Sequence, residues 1–347
     1  MSYKYTHFIK QNVAPPGAKR IVVYDGTGRQ VTAMPLGGLT PPNTQPLYSF
    51  GLVSDIHLYP VVASWVDWNP NRKFDSALSY FESAGCAFCI VCGDLTQTGF
   101  YSEDTSGNKY LDEAQMVLYK SICDDHTLPV YEIAGNHENY YGKSVTDNMS
   151  KWESYTGKDA LYYTVSQGDD LFVFLGQPEG DTPMSDEAFT FLTKTLAANA
   201  DKRCFVFVHP VWKDDSGDAA GVYANHSGLG GTLLSSWSKG EDLKNLLKQY
   251  PKAVLFHGHT HIKFEEQAKD KNLNYTNRNG FHSVHIPSLG RPRDVIQKKN
   301  GSGYEMVYAP SESQGYIVDV HEDCIVLNGM DLIKNIPVPL GVYKIET

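Results

Sequence analysis

The chain has 347 residues, 41% of them hydrophobic, and a formal net charge of −10 at pH 7. That length and apolar content suffice for one large domain or two smaller ones, and they exclude a chain that is disordered throughout. The acidity argues against a protein whose main affinity is for nucleic-acid backbone, and it reads most simply as ordinary solubility.

In chain order, residues 1–48 read as an appendage and residues 49–347 as the main domain. The opening MSYKYTHFIKQNVAPP lacks the apolar core of a secretory signal, and no run approaches a membrane span. The expected location is therefore the cytoplasm, with no membrane partner. KRIVVYDGTGRQVTAM predicts a hairpin turning at Asp25-Gly26, and GGLTPPNTQP an irregular linker. FGLVSDIH is the first core strand. Residues 61–84 carry a helical pattern, clearest in KFDSALSYFES. FCIVCGD is a second strand. LDEAQMVLYKSIC predicts an amphipathic helix with Leu111, Ala114, Val117 and Leu118 inward. VYEIAGNH is a strand and SVTDNMSKWESYT a helix. LYYTVSQGDDLFVFLG predicts a hairpin turning at Gly168-Asp169-Asp170. SDEAFTFLTKTLAANA is a helix capped by Ser185, with Glu187 one residue short of a capping-box partner. After the strand CFVFVH comes a long glycine-rich loop, then KGEDLKNLLKQYP, a short helix stopped by Pro251. The end of the chain is strand-rich, through HSVHIPSL, YEMVYA, GYIVDVHE and CIVLNGM, and predicts a second sheet packed on the first.

Cys86, Cys89 and Cys92 have the C-x2-C-x2-C spacing of an iron–sulfur run. They fall at a helix end and in a buried strand, however. In a strand, residues three apart point to opposite faces, so Cys89 and Cys92 cannot converge on a cluster. They read as small buried thiols. Cys123, Cys204 and Cys324 are isolated, and no disulfide framework is expected.

Five short segments end strand-like runs in metal-binding side chains. They are Asp55-Ile56-His57, Gly93-Asp94, Gly135-Asn136-His137-Glu138, His209 and Gly258-His259-Thr260-His261. In α/β sheets, ligands collect outside the carboxyl ends of the strands. The expectation is that all five deliver their side chains to one edge of one sheet. A mixed oxygen and nitrogen set suits a pair of borderline metal ions. Gly93, Gly135 and Gly258 stand where the backbone must turn sharply or approach the ions closely.

The order and spacing of these blocks resemble the calcineurin-like metallophosphoesterase family, whose pattern is D-x-H, G-D, G-N-H-[D/E], a lone His and G-H-x-H. All five blocks are present, in order, with no ligand substituted. The resemblance implies an α/β fold in which a two-sheet β-sandwich is flanked by helices, here with a small N-terminal β-hairpin appendage. It implies two metal ions per chain, manganese, iron or zinc. Asp55, His57 and His261 would hold one, Asn136, His209 and His259 the other, and Asp94 would bridge them. A bridging carboxylate makes physical sense, because two adjacent cations repel. The implied activity is hydrolysis of a phosphodiester or phosphomonoester by a metal-bridging hydroxide. His137, with Asp94, would be catalytic, contacting the phosphate or leaving oxygen. Glu138 would hold the His137 imidazole or act behind the ligands.

Other residues are candidates for the region behind the ligands or for substrate contact. His257 alternates with His259 along its strand. Trp212, Tyr223 and His226 lie in the glycine-rich loop, which has the length of a lid. Tyr140 and Tyr141 follow the GNHE block, and Arg291 and Arg293 are spaced to grip a phosphate. The expected partner is a small phosphoester, and nucleic acid is disfavoured by the charge. One alternative is a nuclease of the same fold, which predicts a basic groove. Another is a catalytically reduced binding scaffold, or a phage-associated structural protein. The last rests on a likeness of residues 1–48 to leaders on phosphoesterase-like proteins of phage-derived gene clusters. Monoesters, diesters, cyclic nucleotides and phospholipid head groups all fit one metal core, because loops and pocket walls decide among them.

Overall fold

Strand runs that are apolar at every position need cover on both faces, and here they find it between helices and a second sheet. The structure is a computed structural model that describes residues 20–24, 30–35, 45–59, 69–97, 102–103, 109–110, 112–138, 145–178, 182–212, 233–269, 273–277, 280–301 and 304–347. The first half contains β1 (Arg20–Tyr24), β2 (Gln30–Pro35), β3 (Tyr48–Val53), α1 (Pro70–Ser83), β4 (Cys89–Cys92), the short β5 (Ser102–Glu103) and β6 (Lys109–Tyr110), α2 (Asp112–Asp124), β7 (Val130–Ile133) and α3 (Val145–Thr156). Next come β8 (Tyr162–Gln167), β9 (Asp170–Leu175), α4 (Asp186–Ala198), β10 (Cys204–Val208), α5 (Gly240–Leu247), β11 (Ala253–His257) and α6 (Phe264–Lys269). The chain closes with β12 (Tyr275–Thr276), β13 (His282–His285), β14 (Arg293–Gln297), β15 (Tyr304–Tyr308), β16 (Gln314–Val320), β17 (Cys324–Asp331), β18 (Ile336–Pro337) and β19 (Tyr343–Glu346).

Two main sheets form, as the resemblance implies. One has seven strands, in the order β18-β17-β16-β3-β4-β7 with β19 also on β17. The other has six, in the order β12-β13-β11-β10-β9-β8. The strand-rich end of the chain does not make a sheet of its own, as the sequence suggested. Instead β16 pairs antiparallel with β3 and extends the first sheet, while β13 pairs parallel with β11 in the second. The β3 edge not used by β4 needs a partner, and β16 covers it. The expected N-terminal hairpin is present as the antiparallel pair of β1 and β2. Its Asp25-Gly26 turn lies outside the described residues.

Alternation sorts the side chains. Phe50, Leu52, Ile90 and Cys92 of the first sheet meet Phe172, Phe174, Phe205, Phe207 and Phe256 of the second in the inter-sheet core. The rings of Phe172 and Phe205 stack at 4.6 Å, and those of Phe207 and Phe256 at 5.0 Å. The outward faces pack on helices. Val53, Cys89 and Val91 meet Phe74, Phe81, Met116 and Trp152, and Val173, Val206 and Leu255 meet Leu192 and Leu243. Cys89 and Cys92 thus face opposite sides of β4, as strand periodicity required, and all six cysteines are thiols rather than disulfides.

Three local readings shift. Helix α1 starts at Pro70, where the Asn69 side chain accepts the Arg72 N–H, and residues 60–68 lie outside the described residues. On α2 the inward face is Met116, Tyr119 and Ile122, while Val117 is 57% exposed. Of the predicted stripe, Leu118 packs against this core, Ala114 is half-buried, and Leu111 lies outside the described residues. The β8–β9 hairpin turns on Gly168-Asp169 alone, with Gln167 opposite Asp170. Ser185 caps α4 as predicted, accepting the Ala188 N–H.

Asp170 is needed in the strand because it ties the sheets together. Both its oxygens accept from Arg203, at 2.8 Å each, and Tyr48 of the first sheet donates to it at 2.6 Å. Arg203 also donates to the His321 carbonyl, just past β16. Asp170→Ala would strand a buried guanidinium. We expect it to lower the unfolding free energy by about 3–5 kcal/mol. A urea melt in which the variant matches wild type would refute this.

Candidate metal centre

The carboxyl ends of β3, β4 and β7 in one sheet and of β10 and β11 in the other converge on one spot. This corrects the expectation of a single sheet edge. Two sheets packed face to face place their strand ends side by side, so both contribute. Past the strand ends the loops keep bonding to one another. The Asp55 N–H donates to the Gly93 carbonyl, the His57 N–H to the Asp94 carbonyl, and the Gly258 N–H to the His209 carbonyl.

The turns are sharp. Seven non-glycine residues with positive φ occur among the described residues, and five of them are candidate ligands: Asp55, His57, Asp94, His259 and His261. Their φ values run from 52° to 72°, in the left-handed region that costs an L-residue energy and recurs at functional sites. The close approach also explains two glycines. A Cβ on Gly258 would run into Ser54 Oγ and Asp55, and one on Gly135 into the Asp94 carboxylate and backbone.

The donors fall into two groups that share Asp94. Asp55, His57, Asp94 and His261 form one, and Asp94, His209 and His259 the other, with the ligand atoms of each group within 4.8 Å of one another. In the first group, His57 Nε2 and His261 Nε2 lie 3.0 Å apart, and His261 Nε2 is 3.0 Å from Asp55 Oδ1. In the second, His209 Nε2 is 3.2 Å from Asp94 Oδ2 and 3.3 Å from His259 Nδ1. Asn136 brings Oδ1 to 3.1 Å from His209 Nε2. Every predicted ligand is therefore at the centre, and all seven are buried.

These residues fit a pair of cations. The outer nitrogen of His209 donates to the Cys92 carbonyl at 2.8 Å, and that of His261 to the Arg291 carbonyl at 3.2 Å. Each of these bonds turns Nε2 inward, as the nitrogen that would face a cation. Asp55 Oδ1 is buried without a hydrogen bond. Lone pairs facing one another in a buried site are costly unless a cation lies between them. The electrostatics show the positive charge the site requires: against burial, Asp94 and Asp55 raise the His209 pKa to about 10, so in the absence of a cation that ring carries the compensating proton. Burial would raise the carboxyl pKa of Asp94, but the His209 and His137 imidazoles hold it well below the usual range. Burial would likewise raise Asp55, yet His261 and His209 bring it to about 2. Both carboxylates are anionic at neutral pH. Burial pushes His57 well down, and with help from His209 it takes His259 to about 3, which keeps these rings neutral as ligands must be.

His137 differs from the ligands. Its Nδ1–H donates to the Gln97 carbonyl at 2.6 Å, and its Nε2 is 3.9 Å from Asp94 Oδ2. Its side chain keeps 19% of its surface open, against 0% for His57 and His209 and 5% for His261. It therefore stands at the mouth of the centre. Glu138 does not hold the His137 ring. Its carboxylate accepts the N–H groups of Asp94, Thr96 and Gly135 and the Thr96 hydroxyl, so it fixes the turn that carries Asp94. Burial and the Asp94 charge raise its pKa to about 7.

The remaining candidates separate. His257 points away from the donors, with Nε2 3.2 Å from Ser283 Oγ and its ring 5.7 Å from that of His285. Trp212 is not at the centre but in the core on the helix side of the second sheet, against Phe281. Tyr140, Tyr141, Tyr223 and His226 lie outside the described residues. Arg291 reaches the rim, where its guanidinium donates to Gln97 Oε1 at 2.7 Å. Gln97, which holds both His137 and Arg291, was not foreseen. Its only signal in the sequence is its place three residues after Asp94. Ser288 was also missed. It donates to the Asp55 carbonyl and accepts the Arg291 N–H.

A family model described as calcineurin-like phosphoesterase matches residues 48–263. A comparison with curated proteins found no match. Among solved structures, a dimetal phosphatase from Danio rerio is similar with a TM-score of 0.56 and 12% identity, over 85% of this chain and 99% of that one. A predicted phosphoesterase from Streptococcus pneumoniae gives a TM-score of 0.36 and 9% identity, over 86% and 98%. At 12% identity the likeness to the Danio rerio protein is one of fold.

The donor set makes a direct prediction. After loading with manganese, iron or zinc, elemental analysis should find up to two ions per chain. Asp94→Ala should lose both, because it removes the one donor common to the groups. Retention of two tightly held ions by that variant would break the assignment.

Proposed function

We propose that this chain, which belongs to the calcineurin-like phosphoesterase family, is a two-metal hydrolase of small phosphoesters. The observation that carries this reading is the buried pair of donor groups joined through Asp94. Asp55, His57 and His261 with Asp94 would hold one ion, and His209, His259 and Asn136 with Asp94 the other. Such a pair would supply a water of lowered pKa and neutralise phosphoryl oxygens.

The side chains then have distinct tasks. Asp94 lies between the two groups and is kept ionised. Glu138 and the His137 N–H, which donates to Asp94 Oδ1 at 2.9 Å, fix its orientation. His137 offers Nε2 at the open side, with Nδ1 engaged by Gln97. As water attacks phosphorus and the bond to the leaving oxygen breaks, a proton on His137 Nε2 would pass to that oxygen. The small-substrate preference is supported by the charge of −10, since an acidic surface repels the dense phosphates of a duplex. Among the described residues, no helix is long and apolar enough to cross a membrane.

Two tests follow. His137→Ala should keep its metal content and lose turnover by roughly 10²–10⁴-fold on an alkyl phosphoester, and less on a 4-nitrophenyl ester whose leaving group needs no proton. Loss of the metals, or equal loss on both esters, would remove His137 from the acid role. With manganese, the protein should hydrolyse 4-nitrophenyl phosphate or bis(4-nitrophenyl) phosphate and leave duplex DNA largely intact. Salt-sensitive duplex cleavage without small-substrate activity would point instead to a nuclease.

A further inference from the structure

The rim of the centre carries a second arrangement of charge. The β14–β15 hairpin leaves the centre directly behind His261, with the Arg293 N–H donating to the His261 carbonyl at 2.9 Å. Its register pairs Arg293 with Tyr308 and Val295 with Met306, so these four side chains share one face. Met306 packs on Val211, two residues past His209. The hairpin thus runs from the His261 side of the centre to the His209 side, with that face inward. The other face carries Asp294, whose carboxylate is 2.7 Å from Lys263 Nζ, and Glu305. Arginines are sorted toward the cleft and carboxylates away from it.

Arg291 joins Arg293 on the inward side. Both guanidinium groups donate to the Tyr308 hydroxyl, and both lie over its ring, at 4.5 and 5.0 Å from the centroid. Two guanidinium forks gathered on one hydroxyl present several N–H donors side by side, a geometry that suits the oxygens of a phosphoryl group. Arg291 is anchored by Gln97, the residue whose carbonyl holds His137. The arginine pair therefore lies on the leaving-group side of the cleft.

We propose that Arg291, Arg293 and Tyr308 form a subsite for a second phosphoryl group on the leaving-group portion of the substrate. The preferred substrates are then small bisphosphorylated molecules. This rests on the phosphoesterase reading and adds the class of substrate. Tyr308 orients the two forks, and Gln97 couples the subsite to the residue that faces the leaving oxygen.

The test uses the metal-loaded full chain and two probes that differ only in one phosphate, fructose 6-phosphate and fructose 1,6-bisphosphate. Each is titrated as a competitor against whichever 4-nitrophenyl ester the protein hydrolyses. The bisphosphate should inhibit about tenfold more tightly in wild type, as expected for one added set of charge-assisted hydrogen bonds. In Arg291→Gln and in Arg293→Gln the ratio should fall toward one, with metal content and melting temperature as folding controls. Tyr308→Phe should lower it partly. A ratio near one in wild type, or a ratio preserved in both arginine variants, would overturn the subsite. Absence of turnover on either ester would instead strike the phosphoesterase reading. The same ratio would then be taken from calorimetric binding of the two sugars.

Discussion

Asp94 is the point on which the centre depends. It sits 1% exposed among four imidazoles, with one carboxylate oxygen accepting the His137 N–H and the other 3.2 Å from His209. A buried carboxylate costs several kcal/mol unless charge and hydrogen bonds compensate it. Here the groups that compensate Asp94 are also members of the two candidate metal-holding groups that share it. Glu138 extends the arrangement by one step, accepting the N–H of Asp94 itself together with those of Gly135 and Thr96. The ends of β4 and β7 are thus joined through one buried side chain.

The strained turns follow from the same constraint. Side chains from five strand ends reach a volume of a few ångströms only if the backbone folds back at once. Five candidate ligands consequently adopt positive φ. Such conformations persist where the surroundings over-determine them. The surroundings here are the loop-to-loop hydrogen bonds, the close contacts at Gly135 and Gly258, and the aromatic core behind them.

The candidate ligands stand out in the sequence because they are local. Each is fixed by a short block at a strand end, and their order alone carried the resemblance. The same holds for the Ser185 cap and for the opposite facing of Cys89 and Cys92, which follow from spacing along a single element. What escaped was non-local. Alternating apolar residues announce a strand but not its partner, so the sequence could not place β10 and β11 in a different sheet from β3, β4 and β7. It also misassigned the C-terminal strands. For Glu138 the sequence left two roles open, holding the His137 imidazole or acting behind the candidate ligands. Adjacency to His137 suggested that ring, whereas the turn points the carboxylate back at Asp94. Trp212 was read as a loop residue because the chain becomes polar immediately after it, yet it still belongs to the core. Gln97 and Ser288 act through their positions in space, to which no motif refers.

Both donor groups draw from both sheets. Asp55, His57 and Asp94 belong to the sheet of β3 and β4, while His209, His259 and His261 belong to that of β10 and β11. The centre is therefore a gauge of alignment. A slip of one sheet past the other by a single residue, about 3.3 Å, would exceed the tolerance of any coordination sphere. Cations seated there would act as rivets between the two halves of the sandwich, and affinity for them would report how well the aromatic core between the sheets is packed.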